Sequence, residues 1–334
     1  MLYFYCTLAL TYMATTSAYN YLPHFGRALR KLSFPVKYDI PDLKLEDFPV
    51  PPFPNTWYPV CFEKDIKEGK TYPFQIAGED IILFRNDRNS IRGVDRYCKH
   101  NGVDLTYGKI NDKCIVCPFH KKQMFGNLPI EVTNGMVFLW KGSVNDKKHP
   151  PFTMKSLMEL VGHGDLNPIP FFKGVHTMGG HPIDFAEQVF DFKHAMPVHG
   201  QNVIDSHWKV LNNDHTYMAE FEFWNNRKSK SIGVTPTLAI IEFFNDAPII
   251  VFFIINDIGK MDMVFVPTSR HDFTIKQRLK SIFSAFYIYG DTQDEAAYIT
   301  TKDHHKRKLD PSEHKMTTFR EWYKQTFFND MIPN

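Results

Sequence analysis

The sequence predicts an α+β protein of two domains, a small all-β unit followed by an antiparallel sheet with helices on it. Three observations carry this. The proline-rich "FPVPPFPNTW" (48–57) reads as an extended linker. After it, residues 71–97 show short apolar runs split by Ala-Gly-Glu-Asp and Asn-Asp-Arg-Asn, which are turn signals between antiparallel strands; "EVTNGMVFLW" (131–140) continues the style. Beyond "NDKKHPPF" (145–152) the texture changes, and helical stretches appear among the strands.

The chain has 334 residues, enough for two ordinary domains, and a net charge of +2 that gives no case for nucleic acid. Its 30 phenylalanines fit an aromatic core, with a large apolar pocket as the second reading. The five cysteines, Cys6, Cys61, Cys98, Cys114 and Cys117, are odd in number and sparse. They fit a reducing compartment and a metal role better than a disulfide framework. Residues 1–26 carry no charged side chain, and Arg27, Arg30 and Lys31 follow. That length could span a bilayer, although Thr, Ser, Asn and Tyr dilute it. The charges after it would hold the rest on the cytosolic side, and the basic region that opens a signal peptide is missing. The expectation is a single-pass N-terminal anchor over residues 1–31, in the endoplasmic reticulum, with an ordered helix or a signal peptide as alternatives. A linker (32–56), the all-β unit (57–145) and the larger domain (146–334) follow.

In that larger domain "DFAEQVFDFKHAMPVH" (184–199) begins as a helix, with Asp184 and Glu187 spaced as a capping box. "PTLAIIEFF", "PIIVFFIIN" and "KMDMVFVP" read as strands, and Ile249 to Ile255 is too short to cross a membrane. Residues 274–302 are helical, with Ile275, Leu279, Ile282, Phe283 and Phe286 as an apolar stripe.

Two constellations carry chemistry. The first is "CKHNGVDL" (98–105) with "CIVCPFHKK" (114–122), where sixteen residues separate His100 from Cys117. Two short Cys/His loops at that separation, among strands, specify a [2Fe–2S] cluster of Rieske type: Cys98 and Cys117 on one iron, His100 and His120 on the other. Histidine ligation raises the reduction potential over an all-cysteine cluster. A zinc site on the same four residues is the chemical alternative. A Cys114–Cys117 dithiol would need a βαβ setting. The second constellation is Glu187, Asp191 and His194, spaced four and three apart on one helical face, with His199 five residues further on. Pro197 could kink the helix and swing His199 back. Two histidines and a carboxylate with open positions make the facial triad of non-haem Fe(II) oxygenases.

Together these motifs resemble the Rieske non-haem iron oxygenases. Within that family "FPNTWYPV" (53–60), "EQVFDFKHAMPVH" (187–199) and "FREWYKQTFF" (319–328) are similar to the steroid-active branch of cholesterol 7-desaturases and 3-ketosteroid 9α-hydroxylases. The resemblance implies a Rieske domain followed by a helix-grip-like catalytic domain. It implies His194 and His199 as ligands of a mononuclear iron, and Asp191 as the bridge from a neighbouring subunit's cluster histidine in a homotrimer. The third ligand is an Asp on a late helix. Asp294 matches the family's Gln-Asp-x-x-x-Trp, with Tyr298 for Trp, and Asp291 is the fallback. Glu187 is either an orienting group or the capping acid. The implied chemistry uses O2 and NAD(P)H electrons, delivered by a separate reductase or ferredoxin, to desaturate or hydroxylate a sterol such as cholesterol. Another apolar or aromatic substrate, or a pure electron carrier, is the alternative. Carriers have an extra cysteine in each loop, where this chain has Val103 and Phe119. Three departures stand out: Lys121-Lys122 replaces Gly-Trp, Gln188 replaces Asn, and the segment after the cluster is short.

Overall fold

Turns with a left-handed backbone cut the first unit into short strands. Ala77 and Gly78 have φ of 51° and 75°, and Asn134 and Gly135 have 52° and 67°. That is the geometry two-residue hairpins require. The computed structural model describes residues 36–142, 150–169, 174–211, 214–223, 228–243, 247–306 and 313–328. After the short strand β1 (Val36–Lys37) come β2 (Thr56–Phe62), β3 (Thr71–Ile76), β4 (Glu79–Arg85), β5 (Ile91–Asp95), β6 (Lys109–Asn111), β7 (Cys114–Val116), β8 (Gln123–Phe125), β9 (Ile130–Thr133) and β10 (Met136–Lys141). They form three antiparallel sheets, β2-β10-β9, β3-β4-β5 and β6-β7-β8.

The second unit opens with α1 (Met154–Leu160), capped by the Thr153 hydroxyl. β11 (Asn167–Pro168), β12 (Gly174–Gly179) and α2 (Pro182–Gln188) follow, then β13 (Val203–Val210), β14 (Tyr217–Phe223), β15 (Lys228–Thr235), β16 (Leu238–Glu242), β17 (Ile249–Asp257) and β18 (Lys260–Ser269). The chain then forms α3 (Ile275–Asp291), α4 (Gln293–Thr300) and α5 (His314–Phe328). The large sheet runs β1-β12-β18-β17-β16-β15-β14-β13, with β11 added on β18. β17 is apolar at consecutive positions because both of its faces are covered. Ile249, Val251 and Phe253 pack with Phe283 and Phe286 of α3, while Ile250 and Phe252 pack with Met154 and Leu157 of α1. Each such buried side chain contributes roughly 1.5–3 kcal/mol.

The expected stripe on α3 is buried only in part. Ile275 is exposed, and burial is continuous from Phe283 to Gly290. The two units share a core, since Tyr58, Leu83 and Val137 cluster with Phe253, Phe265 and Tyr287. Hydrogen bonds cross as well, from Ala77 N to Ile255 O (2.7 Å) and from Trp57 Nε1 to Phe152 O (2.9 Å).

From residue 36 onward the segment expected as a linker lies against the second unit: β1 pairs with β12 in parallel, and Val50 is buried with Phe319 and Tyr323 of α5. The membrane assignment is corrected. Among the described residues no helix is long and apolar enough to cross a membrane. The segment 1–31 on which it rested lies outside the described residues, as do residues 145–149 of the expected boundary at 145–152.

Candidate metal centres

The two Cys/His loops join β5 to β6 and β7 to β8. Cys98 N bonds to Val103 O (2.9 Å) and Gly102 N to Cys98 O (2.8 Å), closing the first loop. Cys117 N bonds to Lys122 O (2.8 Å) and Lys121 N to Cys117 O (3.1 Å), closing the second. Both cysteines are buried with Phe84, Leu105 and Ile115, whereas His100 and His120 are exposed. The imidazoles meet edge to face, centroids 4.7 Å apart. The backbone N–H of His120 favours the Cys117 thiolate and, with help from Phe119 N–H, Cys98 and the Lys121 charge, lowers its pKa. The ligand atoms therefore form an inner sulfur pair and an outer imidazole pair. Among the described residues no three of them converge as a single-ion group. One zinc would need that convergence; two irons need the two pairs. Cys114 stands apart, its thiol 3.2 Å from Asn111 O and its pKa raised by burial.

Lys121 has φ of 59°, a conformation that costs a side chain about 1–2 kcal/mol. Lys121→Gly is expected to stabilise the first unit by about 1 kcal/mol in thermal melts. With the positive charge gone, the cluster potential is expected to fall by on the order of tens of millivolts in voltammetry. An unchanged potential would show that the charge has no influence on the cluster.

The second centre begins at α2. Its cap is His181, whose ring accepts from Ile183 N (3.0 Å) while His181 N donates to Asp184 Oδ2 (3.1 Å); Pro182 occupies the first turn. The capping box thus pairs His181 with Asp184, not Asp184 with Glu187. The sequence is shifted by one turn because His181 supplies the acceptor that a Ser or Asp usually would. Glu187 is fully buried and paired with Arg320 through Nε and through Nη2 (2.8 Å). Burial pushes its carboxyl up to about 7 against the pull of Arg320 and Lys302.

After Gln188 the chain leaves the α-helix. A 3₁₀ turn (Phe192–His194) runs into a π turn (Ala195–His199), closed by Gly200 at φ 68°. A π turn widens the repeat toward five residues, so His199 comes back beside His194. Pro197 fits because an early position in the turn needs no N–H donor. His194 Nε2 and His199 Nε2 are 3.2 Å apart. Two nitrogens each about 2.1 Å from one metal at right angles stand about 3 Å apart, so the pair fits one ion. The Asp191 carbonyl accepts from His194 Nδ1, which frees Nε2 as a ligand. The Asp191 carboxylate is 3.9 Å from the same Nδ1. His199 Nδ1 lies 3.1 Å from Asp291 Oδ2, without the alignment of a hydrogen bond. Burial disfavours the His199 cation, but Asp291 and Glu295 outweigh it and raise the pKa.

The carboxylate that closes on the histidines is Glu295. Its Oε2 is 3.7 Å from His199 Nε2, and the three ligand atoms lie within 4.8 Å of one another. Burial raises its pKa, against the pull of His199 and His194. Asp294, the residue chosen from sequence, is not in the group, and its charge is felt instead at Tyr38. Neighbours on a helix point about 100° apart, whereas Asp291 and Glu295 are four apart and share a side. That spacing was the signal for Glu295. The site opens into a cavity of about 160 Å³, walled by Phe185, Val189, Phe221, Phe223, Phe243 and Ile288.

The family description "Rieske [2Fe-2S] domain" matches residues 56–127. That stretch is a Rieske domain. Curated relatives include the cholesterol 7-desaturase nvd of Drosophila melanogaster, 24% identical over 57% of this chain and 46% of its own length. A 3-ketosteroid-9-alpha-monooxygenase oxygenase component of Rhodococcus rhodochrous is also 24% identical, over 46% and 47%. The chain therefore spans about half the length of these relatives. The solved reduced complex between oxygenase and ferredoxin in carbazole 1,9a-dioxygenase contains a chain with the same fold, at TM-score 0.55 and 13% identity, covering 79% of this chain and 87% of that one. A Rieske domain joined to an antiparallel-sheet domain with helices is thus the architecture found in Rieske oxygenases.

Proposed function

We propose that the chain is the oxygenase component of a Rieske non-haem iron enzyme. It takes NAD(P)H-derived electrons from a separate reductase or ferredoxin and uses O2 to desaturate or hydroxylate a sterol or steroid. Conversion of cholesterol to 7-dehydrocholesterol is the specific reaction proposed. One observation carries the reading: His194, His199 and Glu295 gather at an apolar cavity in the same chain as a Rieske domain. When bound, a [2Fe–2S] cluster and a mononuclear Fe(II) supply single-electron transfer and oxygen activation.

The chain's residues divide the work. The buried Cys98 and Cys117 and the exposed His100 and His120 would hold the cluster, with the imidazoles on the side that another protein surface can approach. His194, His199 and Glu295 would hold the mononuclear iron, beside the apolar cavity. Asp191, beside His194, is assigned the contact with a neighbouring copy's cluster histidine, in a working unit proposed to be a homotrimer. The phenylalanine wall excludes water and grips hydrocarbon. The names of the curated relatives support a steroid, and the ferredoxin-bound structure supports a small redox partner.

A cavity of about 160 Å³ is smaller than the roughly 300–1,000 Å³ usual for drug-sized ligands. A sterol therefore requires the wall to move. A smaller apolar or aromatic substrate is the second reading, favoured by that volume. Incubation with cholesterol, a reductase, NAD(P)H and O2, followed by mass spectrometry, tests both. Loss of two hydrogens is the expected result, and gain of one oxygen would mean hydroxylation. Inert cholesterol with turnover of a small aromatic would favour the second reading.

A further inference from the structure

We propose that Lys302 and Arg320 form a buried charge clamp that sets the spacing between the two ligand-bearing segments of the mononuclear metal site. The inference rests on the metal reading of His194, His199 and Glu295. One arm of that site is α2 with the histidine turn that follows it, and the other is α4, which carries Glu295. Behind the site, on α2, Asp184 and Glu187 are both completely buried and lie three residues apart on one face.

Lys302 follows α4 closely, its N–H still bonded to Ile299 O (3.1 Å). Its ammonium is 2.7 Å from Asp184 Oδ1 and 3.8 Å from Glu187 Oε2. His304 adds a contact to Asp184 Oδ2 at 3.3 Å. Arg320, on α5, grips both Glu187 oxygens with its fork. Two buried carboxylates are thereby matched by two cations, drawn from the end of α4 and from the C-terminal helix.

None of these four residues lines the cavity or belongs to the ligand group. Nor is the cluster needed to glue α2 to α5, since Ile183 and Phe190 already pack with Phe319 and Tyr323. A buried ion network is a weak source of net stability, because desolvation offsets the attraction. What it supplies is direction: a forked guanidinium and a 2.7 Å ammonium contact fix distances that apolar packing leaves loose. Lys302 and Arg320 are therefore positioning residues: Lys302 ties the end of α4 to Asp184 of α2, and Arg320 of α5 fixes the Glu187 carboxylate that Lys302 also approaches.

The test is Co(II) titration of the full chain carrying its cluster, followed by the visible ligand-field bands. Wild type should bind one Co(II) that His194→Ala does not bind. The paired replacement Glu187→Gln/Arg320→Met leaves no unmatched buried charge, so it should fold with an unchanged cluster spectrum. Its Co(II) affinity should fall about ten- to hundred-fold, as for loss of groups that support metal ligands. Asp184→Asn/Lys302→Met, matched in the same way, should behave alike, and Arg320→Lys, which keeps the charge but not the fork, should fall between. Arg85→Met, in the Rieske domain, is the control for general destabilisation. Affinities within about twofold of wild type in both paired variants would overturn the clamp, as would an equal loss in Arg85→Met. Wild type that binds no Co(II), or His194→Ala that still binds it, would overturn the metal reading itself and the clamp with it.

Discussion

His194→Ala and His199→Ala are each expected to abolish mononuclear iron binding while the Rieske EPR signal and visible spectrum stay as in wild type. The affinity loss should exceed about 100-fold, the upper end for losing a mere supporting partner. O2 consumption coupled to substrate should vanish with the iron. The selectivity follows from the fold. The cluster loops are built on their own small core of Phe84, Leu105 and Ile115, whereas the histidine turn rests on α2 and the α5 aromatics. Removing one imidazole from the second site leaves every hydrogen bond that closes the first loops in place. Iron quantitation per chain, with cluster iron counted separately by EPR, checks the prediction. Unchanged iron content in both variants would sink the catalytic reading, and the chain would then be an electron carrier with a vestigial second domain.

Much of this arrangement was legible in the sequence because it is local. Turn residues such as Asn134-Gly135 mark the hairpins locally. The candidate cluster ligands come as two loops whose short spacing points to the chemistry. The run of Ile249 to Ile255 could be placed as a buried strand because its length excludes a membrane span. What was not legible depends on backbone departures and distant partners. Pro197 signalled a break in the helix, but not that the break would be a π turn that brings His199 beside His194. Asp184 and Glu187 are spaced like a capping box, and nothing local announces that Lys302 and Arg320, more than 100 residues away in sequence, pair with both acids. The proline-rich segment looked like a linker because proline punctuates linkers. It also stiffens chain laid against a core, as Val50 shows.

The choice of the third ligand divides along a single helical step. Asp294 and Glu295 are adjacent, so at most one can face the histidines; the bonds Thr292 N to Ile288 O and Ala296 N to Thr292 O carry the helical register across the α3–α4 junction and put Glu295 on the side of Asp291. Asp291 ends α3 beside His199 Nδ1, and Glu295, four residues on, reaches the Nε2 side. We therefore expect Glu295→Gln to lose mononuclear iron almost as completely as His194→Ala, since an amide offers no charge to the metal. Asp294→Asn should leave iron affinity within about twofold of wild type. Asp291→Asn should fall between, about ten- to hundred-fold weaker, because a carboxylate beside the far nitrogen of a ligating histidine orients the ring and raises its basicity. Equilibrium metal titration of the three single variants, each with its cluster intact, separates these roles. Loss of iron in Asp294→Asn with retention in Glu295→Gln would reverse the assignment and turn α4 by one residue. That turn would also withdraw Glu295 from His199, so the pKa of the imidazole, read by NMR in the metal-free chain, should shift only in the variants that face it.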